Sequence, residues 1–168
     1  IYGEYELNEK IIILIKLTSL INEPQSKMPI DTIELAGLIE FMIEKHSDIA
    51  QIHAVQGDYY FMLGNKENAL SAYKKTIKID PSHFSVWKEI FNLESELKMY
   101  QELYEDSKKA MEYFPSLSDI YFYNGLSAYA IKKYDETIDV LENGLIYLSD
   151  EDKLNYEWRF NSHIGNAY

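Results

Sequence analysis

The chain has 168 residues, enough for one continuous core, and carries 28 acidic against 16 basic side chains for a net charge of −12. That balance argues against a nucleic-acid interface, which needs Lys and Arg to neutralise phosphates, and against docking on anionic lipid. No cysteine is present, which excludes disulfides, thiolate metal sites and thiol catalysis and leaves the compartment, cytoplasmic or periplasmic, open.

Residues 4–22 read as a helix with the apolar set Leu7, Ile11, Ile12, Leu14, Ile15, Leu17 and Ile21. The run contains Lys16 and is too short to span a bilayer. Glu23-Pro24-Gln25-Ser26 ends it, and a loop runs to Pro29. Asp31 followed by Glu34 has the form of a capping box for a helix over 31–46, with Ile33, Leu35, Leu38, Ile39, Met42 and Ile43 as its apolar set.

From Ala50 the chain becomes periodic. Helical apolar spacing reaches Leu63, Gly64-Asn65 breaks it, a second run goes from Lys66 to Ile79, and Asp80-Pro81 closes it. Neither helix can bury its apolar face alone, so the unit calls for copies of itself. Pro81 recurs at Pro115 and Tyr100 at Tyr134, a spacing of 34 residues, and Gly57 recurs two periods on at Gly125.

These residues resemble the tetratricopeptide-repeat family, whose signature is W-x2-L-G-x2-Y, then A-x3-F, then P. The segment 50–83 supplies Gly57 and Tyr60, Ala69 and Tyr73, and Pro81; 84–117 supplies Trp87, Ile90 and Pro115; 118–150 supplies Tyr121, Gly125, Thr137 and Leu141. Residues 151–168 open a further repeat with Ile164-Gly165 and Tyr168. Residues 1–49 sit one repeat upstream in phase, as a degenerate repeat or N-terminal cap; an unrelated hairpin packed on the array is the alternative. The chain begins at Ile1 and stops inside a first helix, so we expect a piece of a longer protein, from which any signal peptide would be missing.

Departures from the pattern carry expectations of their own. Phe91 stands where the signature has Gly and should spread or tilt its helices, while Leu103 and Ser107 replace Ala and Phe. Ser149-Asp150-Glu151-Asp152 breaks the period; residues 149–157 should form a longer link or an added helical turn, with the Gly165 helix still packed on the preceding repeat. Asn143-Gly144 should stay helical for close packing.

Lys74, Lys75 and Lys78, and the acids Glu94, Glu96, Glu102, Glu105 and Asp106, read as solvated helix faces. His46, His53, His83 and His163 form no i, i+4 pair. No phosphate loop or nucleophile elbow occurs, so no enzyme, metal or cofactor is expected.

The resemblance implies an all-α fold, a right-handed superhelical solenoid of antiparallel helix pairs. It further implies a protein-interaction scaffold that binds a peptide or partner helix on a concave face lined by first helices. The groove positions so assigned include Asp58, Phe61, Met62, Lys88, Asn92, Phe122, Leu126, Tyr129 and Arg159. Some family members clamp a C-terminal carboxylate; Lys88 and Asn92 match two of those positions, Tyr123 and His163 depart from two others, and Arg159 could serve for a lysine. The alternative function is a structural segment whose groove is covered by its own chain or by another subunit. An exposed patch of Phe61, Phe122, Leu126 and Tyr129 would favour the scaffold.

Overall fold

Turns at one repeat position set the architecture. Gly64, Lys98 and Lys132 are spaced 34 residues apart, and each adopts a left-handed backbone, with φ of 74°, 58° and 65°. At each the chain reverses, because this conformation closes a helix and starts an antiparallel one. The computed structural model describes residues 7–16 and 32–167, among which there is no strand. The fold is all-α. Its helices are α1 (residues 7–16), α2 (Thr32–Lys45), α3 (Ala50–Met62), α4 (Lys66–Ile79), α5 (Phe84–Glu96), α6 (Tyr100–Tyr113), α7 (Ser118–Ala130), α8 (Tyr134–Ile146) and α9 (Asp150–Ala167). The Asp31 capping residue, the loop over 23–30, and Leu17 and Ile21 lie outside the described residues. The chain divides into two compact units, Ile1–Val86 and Trp87–Tyr168.

In the first unit, Ile11, Leu14, Leu35, Ile39, Met42, Ile52 and Val55 form one buried cluster. Ile12, Ile15 and Ile33 do not join it: they are exposed, because a narrow stripe of each helix faces the core and these residues fall off it. The α3–α4 turn is tied by Asn65, whose side chain accepts from the backbone N–H of Asn68 at 3.2 Å, capping α4. The α4 ring of Tyr73 lies over Gly57, where a Cβ would stand 2.5 Å from Cδ1 of that ring. His53 is a buried core histidine, with Nε2 2.8 Å from the carbonyl of Ser47.

In the second unit, Trp87, Ile90, Phe91 and Leu93 of α5 are fully buried. Trp87 contacts Phe91 and the α6 residue Tyr113, with ring centroids 6.1 and 6.2 Å apart. Glu94 is also fully buried, against the expectation of a solvated face. It lies one helical turn past Ile90 and two past Trp87, hence on the inward stripe of α5.

Gly144 remains helical and admits Phe160 and Tyr121, since a Cβ there would stand 2.6 Å from each. The break in period is absorbed by the 18-residue α9. Ser149 and Asp152 cap it reciprocally: the Asp152 N–H donates to Ser149 Oγ at 3.1 Å and Ser149 Oγ donates to the Asp152 carboxylate at 2.6 Å. Three acidic residues occupy its first turn, where the helix dipole favours negative charge. Phe160 holds α9 on α8 through a cluster with Leu141 and Leu148.

Candidate functional site

Within the second unit, the first helices of successive pairs meet at a constant offset. Lys88 Nζ of α5 pairs with Asp119 Oδ2 of α7 at 3.0 Å. One turn on, the Tyr123 hydroxyl of α7 donates to Asn92 Oδ1 of α5 at 2.5 Å. Both pairs are separated by 31 residues. The ring of Tyr123 rests on buried Phe91, centroids 5.3 Å apart. From α7 the face continues to α9 through Phe122, whose ring lies 5.3 Å from Phe160 and 5.5 Å from His163. The Arg159 guanidinium sits 4.4 Å from the Phe122 centroid, a cation–π placement. Leu126 is half-buried, as is Tyr129, whose ring is 5.5 Å from Tyr134.

The face is therefore amphipathic. Its rings are partly covered, and its polar tips are matched to one another across helix boundaries. The hydrogen bond and charge of Asp119 push the Lys88 ammonium above the usual lysine range. Burial pushes the Tyr123 phenol up. Burial, and then the neighbouring Arg159 charge, hold the His163 imidazole below the usual histidine range. Above that range of pH the face carries Lys88 and Arg159 as cations and Asp119 as an anion.

In the first unit, Asp58 of α3 accepts a hydrogen bond from the Tyr73 hydroxyl at 2.7 Å. Burial raises its carboxyl pKa and that bond opposes the rise. Phe61 at the end of α3 is 47% exposed, and Met62 is half-buried. Of the four residues whose exposure bears on a scaffold role, only Phe61 is an exposed large side chain; Phe122, Leu126 and Tyr129 are half-buried.

Sequence reasoning treated Tyr123 as a mere departure and did not couple Asp119 to Lys88. The signal was present in the repeated offset: residue i of one first helix faces residue i+31 of the next. A second polar cluster joins α6 to α8. The Tyr104 hydroxyl donates to Glu136, Lys133 bridges to the same carboxylate at 2.9 Å, and Lys133 Nζ lies 4.3 Å from the Tyr104 ring centroid. Among the described residues no group of three or more His, Asp or Glu could hold a metal ion, and no helix is long and apolar enough to cross a membrane.

Comparison with known proteins gives three kinds of finding. The family model for the tetratricopeptide repeat matches residues 50–83. No curated protein matches the chain. Among solved structures, MamA from Desulfovibrio magneticus RS-1 superposes with a TM-score of 0.68 at 14% identity, over 94% of this chain and 83% of that one. The TPR2B domain of yeast Sti1, solved with pHsp70, gives 0.60 at 20% identity over 70% and 94%. The first repeat domain of Spaghetti (RPAP3), bound to the HSP90 peptide SRMEEVD, gives 0.58 at 21% identity over 72% and 91%.

Proposed function

Because the chain carries a tetratricopeptide repeat at residues 50–83 and shares its all-α fold with proteins of that kind, we propose that it is a protein-interaction scaffold, not a catalyst, and that the α5–α7–α9 face receives an extended segment or helix of a partner. The observation that carries this reading is the amphipathic row Lys88, Asn92, Phe122, Tyr123 and Arg159, set across three successive first helices. A partner laid over it would desolvate the half-covered rings of Phe122 and Tyr129 and the side chain of Leu126, and such anchors supply most of the energy of association. Peptide-bound neighbours of the same fold support the use of this scaffold. In the first unit, Asp58, Phe61 and Met62 occupy the corresponding helix.

The ligand chemistry follows from the pairing. Lys88 is already engaged by Asp119 and Asn92 by Tyr123, so a terminal carboxylate would have to displace an internal one. That favours a segment read by its side chains and amides, with Arg159 offering a cation. The second reading, a structural segment covered by protein, draws support from Phe122, which packs on the cluster of Leu141, Leu148 and Phe160.

Peptide display against the intact protein tests the reading. Selected peptides should lose at least about fivefold in affinity, or roughly 1 kcal/mol, on Asn92→Ala or Arg159→Ala, with melting temperature unchanged. Phe122→Ser should weaken capture and also lower stability. Peptides that bind all three variants as tightly as the parent, or a display that enriches none, would remove this face from consideration.

A further inference from the structure

The seat for a following helix is filled on α3 and on α7 and open on α9. In the first unit Tyr73 of α4 covers Gly57, and in the second Leu141 of α8 covers Gly125, where a Cβ would stand 2.5 Å from the Leu141 Cγ. Each pair is antiparallel, with a large side chain laid on the glycine. The α9 helix repeats the register: a buried apolar residue lies five positions before each glycine, Ile52, Ile120 and Phe160 in turn. Yet a Cβ on Gly165 would meet nothing within 4 Å. One turn earlier, Asn161 holds the position at which Tyr121 turns its ring onto Tyr147, centroids 5.1 Å apart, and Asn161 is exposed. The same side of α9 carries Trp158, 68% exposed. It also carries an open cleft of about 580 Å³ lined by Asp150, Lys153, Glu157, Trp158 and Asn161.

We infer that this side of α9 docks a basic amphipathic helix of a separate partner, antiparallel to α9, with a Tyr- or Leu-sized side chain seated on Gly165. Shape comes from the two filled seats. Charge comes from Asp150, Glu151 and Glu157, which outnumber Lys153 along the N-terminal half of α9. An antiparallel partner brings its C-terminal half to that end, where its own dipole favours lysine. Helix α4 has this chemistry, with Tyr73 followed by Lys74, Lys75 and Lys78. A second copy of this chain is disfavoured as occupant by the −12 charge it would bring. The surface lies on a different side of α9 from Arg159 and His163, so the inference does not rest on the proposed function.

The probe is a synthetic peptide of residues 66–79, titrated into the intact protein while the emission of Trp158 is followed; the other tryptophan, Trp87, is buried. Saturable blue-shifted emission is expected, weakening as salt rises. The acidic peptide of residues 134–146, which seats Leu141 in the same way, should bind at least about tenfold more weakly, a difference of about 1.4 kcal/mol. Gly165→Leu should abolish the shift while leaving the circular dichroism unchanged, since the space is open. Absence of saturation, equal binding of the two peptides, or binding indifferent to Gly165→Leu overturns the inference. So does Trp158 emission already blue-shifted and shielded from quencher before peptide is added, or a Gly165-dependent dimer in sedimentation, either of which would assign the face to this chain itself.

Discussion

Replacing Gly57 by Ala tests whether the close approach of α3 and α4 is what the glycine is for. Alanine in a helix interior is favoured over glycine by roughly 0.5–1 kcal/mol, so the change should stabilise wherever a methyl has room. Gly37, mid-way along α2 and exposed, has nothing within 4 Å of its Cβ position, and Gly37→Ala should show that gain in full. At Gly57 the methyl would stand 2.5 Å from Tyr73 Cδ1, where ordinary contact begins at 3.4 Å. Tyr73 cannot swing clear cheaply. It is 3% exposed and its hydroxyl is tied to Asp58 at 2.7 Å. Relief requires giving up that bond, worth about 1 kcal/mol, or parting the helices. Overpacking of this kind costs about 1–3 kcal/mol. The propensity gain cancels between the two variants, so Gly57→Ala should fall about 1–3 kcal/mol below Gly37→Ala. That is about 2–4 °C in melting temperature per kcal/mol for a chain of this size. Urea and thermal unfolding followed by circular dichroism measure it. Adding Tyr73→Ala to Gly57→Ala should recover at least about 1 kcal/mol as coupling in a double-mutant cycle. If Gly57→Ala proves as stable as Gly37→Ala, the packing argument for this seat, and for its counterparts at Gly125 and Gly165, is wrong.

Two further outcomes follow from the backbone and from titration. Lys98 and Lys132 hold left-handed conformations at the turn position where Gly64 serves the first repeat, so Lys98→Gly and Lys132→Gly should each raise stability by about 0.5–1 kcal/mol in urea unfolding; a loss of stability would deny that the backbone is strained there. The His163 imidazole is held below its usual value of 6.5, so the unfolded chain binds the proton more tightly than the folded one. The stability tied to His163 is complete above pH about 6.5 and is lost as pH falls from there toward the folded-state pKa. Gln at His163 should flatten that part of the pH–stability curve, and an unchanged slope would refute the assignment.

The helices and their reversal points were legible because they rest on local physics. Gly64-Asn65, Pro81 and the spacing of Pro81 to Pro115 mark chain direction whatever surrounds them, and Gly144 could be kept helical from its register. Side-chain destinations were less legible. Glu94 was read as solvated from its charge, whereas its place one turn from Ile90 puts it inside. Ile12, Ile15 and Ile33 were read as core from their chemistry, although each lies off the inward stripe. Phe122 illustrates the limit at the candidate site. Its groove register is visible in the repeat, but its contacts with Phe160, His163 and Arg159 depend on how α9 is phased after an interrupted period. Only the packed pair of helices fixes that.

The second repeat contains the departure with the widest consequence. By register, Gly57 is matched with Tyr73 and Gly125 with Leu141, while the equivalent positions between them hold Phe91 and Ser107. Read residue by residue these are two violations of a motif. Taken as a pair they exchange large for small across the same seam and keep its volume, which cores tolerate far better than either change alone. The exchange leaves a hydroxyl in the interior, and it is satisfied: Ser107 donates to the Leu103 carbonyl at 2.5 Å and accepts from Asn124 Nδ2 at 2.9 Å, which also donates to the Tyr104 carbonyl at 3.0 Å. The α6–α7 seam thereby gains directional bonds that fix its register. The ring moved onto α5 has a second effect. Phe91 supports Tyr123 from below, and Tyr123 holds Asn92. A glycine at that position would offer no surface for the ring to rest on. The hydrogen-bonded pair at the centre of the candidate face is therefore a product of the inversion, and the polar recognition proposed there depends on the second repeat departing from its neighbours.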